Sequence, residues 1–292
     1  MKKNYKSKII LIFLIILLTL YLLNSELITK NIIEYTNLFI TKLFPSSFLI
    51  FTISSLLINY QIIETFFIKF KKPATSYVII MSLISGFPSG PKYISQLYQK
   101  NYISEKEANR LLSFCHFPNP LFILGTLPQI LNSKKIAIKI LISLISSNIL
   151  LSFLNKNKEK QILKSNQITL PFSISLSNAI ISSLKLQILI YGTNIFFYLI
   201  SVIITNSINT SPTIYALINS TFDLIKGPLS TSLIPSILVR SIIIISSLSL
   251  GSLSLNIQIK SILSDTSLSY KSFIFGRIIS TIISIIIFLL IY

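Results

Sequence analysis

A segment rich in glycine, proline and serine, SGFPSGPKY at residues 85–93, directly follows the apolar run YVIIMSLI. Gly86 and Gly90 permit left-handed or closely approached backbone, whereas Pro88 and Pro91 remove amide donors and disfavour helix at the preceding residues. The carbonyl and amide groups freed in this way, together with nearby serine hydroxyls, can bind a polar solute inside a membrane. A plain turn between two helices is the alternative that the composition leaves open.

The same segment does not match a phosphate loop, which has four residues between its glycines and then Gly-Lys-Ser/Thr. Here three residues separate Gly86 from Gly90, and Pro91 precedes Lys92. The eight acidic residues form no pair suited to acid/base catalysis, and one cysteine beside one histidine cannot build a metal site. We therefore expect no ATP hydrolysis, no cofactor and no metal, and a membrane-embedded enzyme is the least favoured class.

Two further polar residues interrupt apolar or proline-rich runs. Arg240 lies near the centre of STSLIPSILVRSIIIISSLSLG, where a charge costs at least about 2.5 kcal/mol unless it faces water or a partner. We predict that it contacts a solute or ion in a central cavity, with a structural pair to Asp223 as the alternative. Asn119 in CHFPNP either binds solute or caps the neighbouring backbone.

The composition is that of an integral membrane protein. Hydrophobic residues make up 52% of the chain, mean hydropathy is +0.75, and 12% of residues are charged, against about 25% in soluble domains. The net charge of +18 comes largely from lysines beside apolar runs, as the positive-inside rule predicts for cytoplasmic loops. Three arginines and no tryptophan argue against a nucleic-acid surface. We expect a multi-pass protein of the cell membrane, with the lipid bilayer as its surroundings.

The hydrophobic pattern predicts an all-α polytopic protein with seven or eight hydrophobic segments. Residues 9–23 form a retained first helix with the N-terminus in the cytoplasm, and residues 24–37 form an outside loop. The segment from Pro73 to Gly86 reaches roughly 18 Å as a helix, too short for a core about 30 Å thick. We therefore predict a half-helix that enters and turns back, followed by an unbroken span over residues 111–131.

An internal repeat appears at an offset of 165 residues, where Gly86 meets Gly251 and Ser89 meets Ser254. The loop charges place the first interrupted segment entering from inside and its counterpart from outside, which is the inverted-repeat pattern of secondary transporters. The predicted organisation is a single membrane domain with an N-terminal helix and loop (1–36), a first half (37–154), a polar cytoplasmic linker (155–169) and a second half (170–292).

The stretch SGFPSGPKYISQLYQKNYISEKEANRLLSFCHFPNPLFILGT resembles the sporulation integral membrane protein YlbJ family, whose members carry the nucleoside-recognition Gate domain. KLFPSSFLIF is similar to a Leu-Phe-Pro-Ser segment of that family, and SLGSLSLNIQIKSILSDTSLSY to its glycine-rich second-half segment. The resemblance covers roughly residues 38–279. In this second segment Ser252 stands in place of a glycine, and Asn256 stands where the family often has histidine.

The resemblance implies a membrane protein needed for making endospores. We predict a permease-like carrier or channel for a small polar solute, nucleoside-like by resemblance only. The alternative is a membrane scaffold that recruits spore-envelope assembly partners without transport, using the charged helix 101–112 or self-association. The predicted solute-binding residues are Gly86, Pro88, Ser89, Gly90, Asn119, Arg240, Gly251, Ser254 and Asn256.

Overall fold

A computed structural model describes residues 2–154 and 170–292, and within these ranges the chain is 83% helical and has no strand. The predicted all-α class is confirmed, whereas the predicted linker 155–169 lies outside the described residues. The α-helices are α1 (Lys2–Leu23), α2 (Ser25–Leu38), α3 (Phe44–Asn59), α4 (Ile62–Thr65), α5 (Pro73–Ser85), α6 (Ser89–Gln99), α7 (Glu105–Leu112), α8 (Pro120–Leu131), α9 (Lys134–Leu154), α10 (Phe172–Ser207), α11 (Pro212–Phe222), α12 (Lys226–Ser230), α13 (Ile237–Leu250), α14 (Leu253–Leu263) and α15 (Tyr270–Ile291). A π-helix (Phe39–Leu43) joins α2 to α3, and 3₁₀ turns cover Phe67–Lys69 and Thr231–Leu233.

Several helices are long and apolar enough to cross a membrane. Within the described ranges, four qualify by length and composition: Lys134–Leu154, Phe172–Ser207, Ile237–Leu263 and Tyr270–Ile291. A fifth span is formed if the bent pair Ser7–Leu23 and Ser25–Leu43 counts as one. Three shorter apolar helices, Ser47–Asn59, Pro73–Ser85 and Pro120–Leu131, bring the number of apolar segments into the predicted range.

Two details of the predicted layout are wrong. Residues 25–38 form a helix rather than a loop, because Glu26 and Lys30 occupy its exposed face while Ile28 and Tyr35 are fully buried. This helix leaves α1 at Asn24 with a bend of 91°. The predicted span 111–131 is divided into α7, an irregular stretch at 113–119 and α8, since Pro118 and Pro120 cannot continue a helix.

The order of helices in the first half repeats in the second. With a shift of 165 residues, α3 falls on α11, α5 on α13, α6 on α14, and the start of α7 on the start of α15. The same shift places the bent pair α1–α2 on the single long helix α10, and even the two 3₁₀ turns correspond within a residue. The element order therefore supports the internal repeat, while its inverted orientation stays a prediction.

Both predicted interruptions contain a glycine with positive φ, +73° at Gly86 and +75° at Gly251. After the first, α6 folds back along α5, since the rings of Tyr77 and Tyr93 lie 6.0 Å apart and Ser85 Oγ hydrogen-bonds Tyr93 Oη at 2.8 Å. After the second, α13 and α14 continue as one candidate span of 27 residues. The first interruption contains two prolines and reverses the chain, whereas the second contains none and does not.

The two halves pack through small polar residues on α9 and α15. Ser147 Oγ lies 3.0 Å from Ser280 Oγ and 2.7 Å from Ser284 Oγ, and all three residues are buried. Small side chains let membrane helices approach closely, and their hydroxyls hydrogen-bond across the interface. This contact holds the end of the first half against the last helix.

Candidate functional site

A cavity of about 240 Å³ lies between the first interrupted segment and the helices of the second half. Its walls come from the π-helix and α3, the α5–α6 turn, α8, α10, the α11–α12 turn and α14. The lining residues are Phe39, Lys42, Leu43, Ser47, Phe51, Ser85, Phe87, Pro88, Asn119, Leu121, Phe122, Thr126, Gln187, Ile190, Asn194, Leu224, Ile225, Leu255 and Gln258. Apolar walls with a few convergent polar groups are typical of small-molecule sites.

Two of the predicted site residues, Pro88 and Asn119, line this cavity. Gly86 lies directly behind Asn119, since a Cβ on Gly86 would be 2.6 Å from the Asn119 Cβ and amide nitrogen. Asn119 Oδ1 accepts the Leu121 N–H at 2.8 Å and thereby caps α8, as one of the two sequence-based interpretations predicted. The structure therefore brings the first interruption and CHFPNP together at one wall.

Ser89 and Gly90 lie behind that wall rather than in it. Ser89 is fully buried and donates its hydroxyl to the Gly86 carbonyl oxygen. A Cβ on Gly90 would overlap the Cys115 carbonyl oxygen and lie 3.1 Å from Ser82 Oγ. Their surroundings leave no room for a larger side chain or for a ligand. Ser89 and Gly90 therefore shape the turn and do not contact a solute in the cavity.

The second-half residues predicted for the site lie outside the cavity lining. Ser254 Oγ hydrogen-bonds Ser252 Oγ at 2.7 Å, and Asn256 Nδ2 donates to the Gly251 and Ser252 carbonyls at 3.1 and 2.8 Å. The Asn256 Oδ1 atom accepts the Tyr270 hydroxyl at 2.7 Å. These contacts stabilise the backbone of the second interruption, and its contribution to the cavity is the adjacent Leu255.

Arg240 lies outside the cavity lining as well. Its guanidinium donates to the backbone carbonyls of Ile234 and, at 2.8 Å, of Ile130. Asp223, the predicted structural partner, instead hydrogen-bonds the Tyr35 hydroxyl at 2.9 Å. The half-buried arginine thus joins the start of α13 to the end of α8 through peptide groups.

Sequence reasoning missed the polar side chains that α10 and α14 place in the cavity. Gln187 Nε2 donates to Ser47 Oγ at 2.6 Å, while its Oε1 accepts no hydrogen bond from the described residues although the side chain is buried. Gln258 Nε2 donates to Asn194 Oδ1 at 2.7 Å. The signal was present in LKLQILIYGTNIFF, where single polar residues interrupt an apolar run.

Charged groups and helix ends surround the cavity. Helices α6 and α8 begin at its wall, with Pro88 and Asn119 in their N-cap positions, and helix N-termini carry partial positive charge. Among the described lining residues, Lys42 is the one that carries a charge. Lys92 is almost fully buried behind the wall, with Nζ 5.6 Å from the centre of the Phe51 ring. The fully buried Asp223 carboxylate precedes Leu224 of the lining and is a negative group beside the same cavity.

A second cluster that sequence reasoning missed supports the irregular stretch 113–119. Arg277 is fully buried in α15, and its Nη2 donates to the Ser113 carbonyl at 2.7 Å and to Asn148 Oδ1 at 2.9 Å. Asn148 Nδ2 in turn donates to the His116 carbonyl at 3.0 Å. The His116 ring stacks on Phe87 with centroids 4.9 Å apart. Arg277 and Asn148 therefore position the stretch that carries Asn119 to the cavity.

Comparison with known proteins found one relative of clear similarity. The chain is 41% identical over 91 residues to the sporulation integral membrane protein YlbJ of Bacillus subtilis (strain 168). The matched region is 28% of this chain and 22% of that protein. The match and the apolar helices support an integral membrane protein that resembles YlbJ over the matched region. No protein-family model and no solved structure matches the chain, and the Gate-domain assignment stays a prediction.

Proposed function

We propose that this protein is a permease-like carrier or channel that moves a small polar solute across a membrane during endospore envelope formation. The observation that carries the proposal is the cavity, because polar side chains from both halves converge there beside an interrupted segment. Interrupted helices at the meeting point of two structural repeats are a common location of transporter substrate sites.

The solute proposed for this cavity is polar and offers hydrogen-bond donors. The buried Gln187 Oε1 atom accepts no hydrogen bond from described residues and is a ready acceptor for such a donor. A nucleoside has hydrogen-bond donors of this kind. The proposal of a nucleoside-like solute itself comes from the family resemblance.

The alternative is a scaffold that binds envelope-assembly partners through the charged helix α7. Several of that helix's charges are already used internally. Glu107 is buried, and its carboxylate accepts hydrogen bonds from Thr75 at 2.8 Å and from Arg110 at 2.7 and 2.8 Å. Lys72 Nζ lies 3.7 Å from the same carboxylate. The surface left for a partner is small, which favours the carrier or channel.

The experiment is complementation of a sporulating host that lacks its own copy, with heat-resistant spores as the measurement. Thr126 is half-buried, lines the cavity and has no side-chain hydrogen bond to any part of the chain that the structure describes, so Thr126→Phe narrows the cavity. Gly125 is the matched control because a Cβ there meets no atom within 4 Å and the position is exposed. We expect Thr126→Phe to lower heat resistance at least about tenfold and Gly125→Phe to leave it unchanged.

Membrane levels of both variants must equal wild type by immunoblot, so that loss of function is not loss of protein. Equal heat resistance of Thr126→Phe and wild type at equal levels would refute a solute pathway through the cavity. Purified protein in liposomes, assayed with radiolabelled nucleosides and small organic anions, then tests the solute class.

A further inference from the structure

A fully buried carboxylate, that of Asp223, lies in the turn between α11 and α12, whose next two residues line the cavity. Asp223 Oδ1 accepts the backbone N–H groups of Ile225 at 2.9 Å and Lys226 at 2.6 Å. Its Oδ2 accepts the Tyr35 hydroxyl at 2.9 Å. Ionisable residues buried at the core of membrane proteins are costly and commonly belong to ion or proton pathways.

The carboxylate is held by hydrogen-bond donors rather than by an ion pair. The Lys226 ammonium is bonded to Glu34 on α2 and lies over the Tyr198 ring, 5.4 Å from its centre. The ionisable groups around Asp223 are Glu34 and Tyr35 on α2, Tyr198 on α10, Tyr215 on α11 and Lys226 on α12. No cation among the described residues lies within 4.0 Å of the Asp223 carboxylate.

Asp223 is connected to the cavity through its own turn. Its Oδ1 accepts the Ile225 N–H at 2.9 Å, and Leu224 and Ile225 both line the cavity. Asn194 and Gln258, which hydrogen-bond each other at 2.7 Å, line the same cavity. A change in the hydrogen bonding of the Asp223 carboxylate therefore reaches the wall directly through Ile225.

We propose that Asp223 is a proton-binding site whose occupancy is coupled to the conformation of the cavity, and this proposal rests on the proposed function. In the step, a hydronium ion gives one proton to the carboxylate and leaves as water, and the carboxylate becomes a neutral carboxylic acid with no change of oxidation state. A proton on Oδ2 faces the Tyr35 hydroxyl as a second donor, so Tyr35 must turn its own proton away. This rearrangement changes the positions of Leu224 and Ile225, which follow Asp223 in the chain and form part of the cavity wall.

The protonation equilibrium is poised for such a role. Asp223 lies outside the candidate spans, and burial raises the pKa of its carboxyl to about 6, partly offset by the hydrogen bonds from Lys226, Ile225 and Tyr35. Because the folded-state pKa is raised, the contribution of this group to stability is present at acidic pH and is lost as pH rises through about 6. Tyr35→Phe removes a donor that favours the carboxylate and should raise the pKa further.

The first test follows the carboxyl itself, in the purified full chain, by infrared titration of the protonated C=O stretch. We expect a band that titrates near pH 6, disappears in Asp223→Asn, and persists in the control Asp265→Asn, whose carboxylate is exposed. We also expect the midpoint to move upward in Tyr35→Phe. Persistence of the band in Asp223→Asn, or a wild-type midpoint below about pH 5, would overturn the proposal.

The second test measures coupling to the cavity without a solute. In a Cys115→Ser background, Thr126→Cys reports cavity access through its maleimide labelling rate, and the exposed Ser264→Cys corrects for thiol ionisation. We expect the corrected rate to change about threefold or more across pH 6, and Asp223→Asn to abolish that change. A corrected rate that does not depend on pH, or a dependence that survives Asp223→Asn, would overturn the coupling.

The results of these experiments distinguish the solute pathway from the proton coupling, because each can be refuted while the other stands. Full sporulation with Thr126→Phe removes the solute pathway even if Asp223 titrates as expected. Loss of sporulation with Thr126→Phe, combined with a pH-independent labelling rate, leaves the pathway in place and removes the proton coupling.

Discussion

The two glycines with positive φ give a sharp prediction, because the same substitution is made in similar backbone but different surroundings. Gly86 (φ +73°, ψ 178°) and Gly251 (φ +75°, ψ 144°) have backbone conformations that are largely restricted to glycine, so alanine at either position is strained by about 1–3 kcal/mol. The surroundings differ. A Cβ at Gly86 would be 2.6 Å from the Asn119 backbone nitrogen, whereas at Gly251 the nearest atom is Leu255 Cδ2 at 2.9 Å, the end of a flexible side chain.

The two variants should therefore differ in how much the added methyl group lowers the free energy of unfolding. Overlap with fixed atoms costs about 1–3 kcal/mol, so Gly86→Ala should lower the free energy of unfolding by about 2–6 kcal/mol in total. Gly251→Ala should lower it by about 1–3 kcal/mol, because Leu255 can change rotamer and adds little to the backbone strain. Gly125→Ala, inside α8 with no atom within 4 Å of its Cβ, should raise it by about 0.5–1 kcal/mol.

The assay is unfolding of the purified protein in mixed micelles with increasing dodecyl sulfate, followed by far-ultraviolet circular dichroism. All variants are compared in one detergent, so that the reference state is shared. Equal destabilisation by Gly86→Ala and Gly251→Ala, within about 0.5 kcal/mol, would show that the close packing of the first interruption on Asn119 does not exist.

Further predictions concern the arginines and a helix cap, measured in the same unfolding assay. Arg277→Met should cost about 2–3 kcal/mol, because it leaves the buried Ser113 carbonyl and Asn148 Oδ1 without this donor, and Arg240→Met about 1 kcal/mol, because its site is only half-buried. The reverse order would contradict the assigned burial. Ser104→Ala should cost about 1 kcal/mol, because Ser104 Oγ accepts the N–H of Glu107 at 3.2 Å and caps α7, while Ser104→Asp should retain stability. Equal loss in both Ser104 variants would exclude the cap.

The amino-acid sequence determined the class of protein and the places where its helices break. Apolar runs in a chain with 12% charged residues require a membrane, since so much apolar surface needs lipid or a core around it. Gly86 and Gly251 mark breaks because glycine adopts positive φ without strain. Ser104 stands three residues before Glu107, the spacing of a capping box, and α7 begins directly after it because capping is local chemistry. Local signals of this kind do not depend on distant parts of the chain.

Only the tertiary structure decided what each polar residue does. Arg240 and Arg277 occupy similar apolar runs, yet one is half-buried on two carbonyls and the other is fully buried beneath residues 113–119. The cavity residue Gln187 and the cluster of Tyr35 with Asp223 likewise depend on partners more than 100 residues away in the chain. Burial and hydrogen bonding are set by which helices meet in space, and an apolar helix that is surrounded by other helices or lipid has no sequence period that tells which face will be covered.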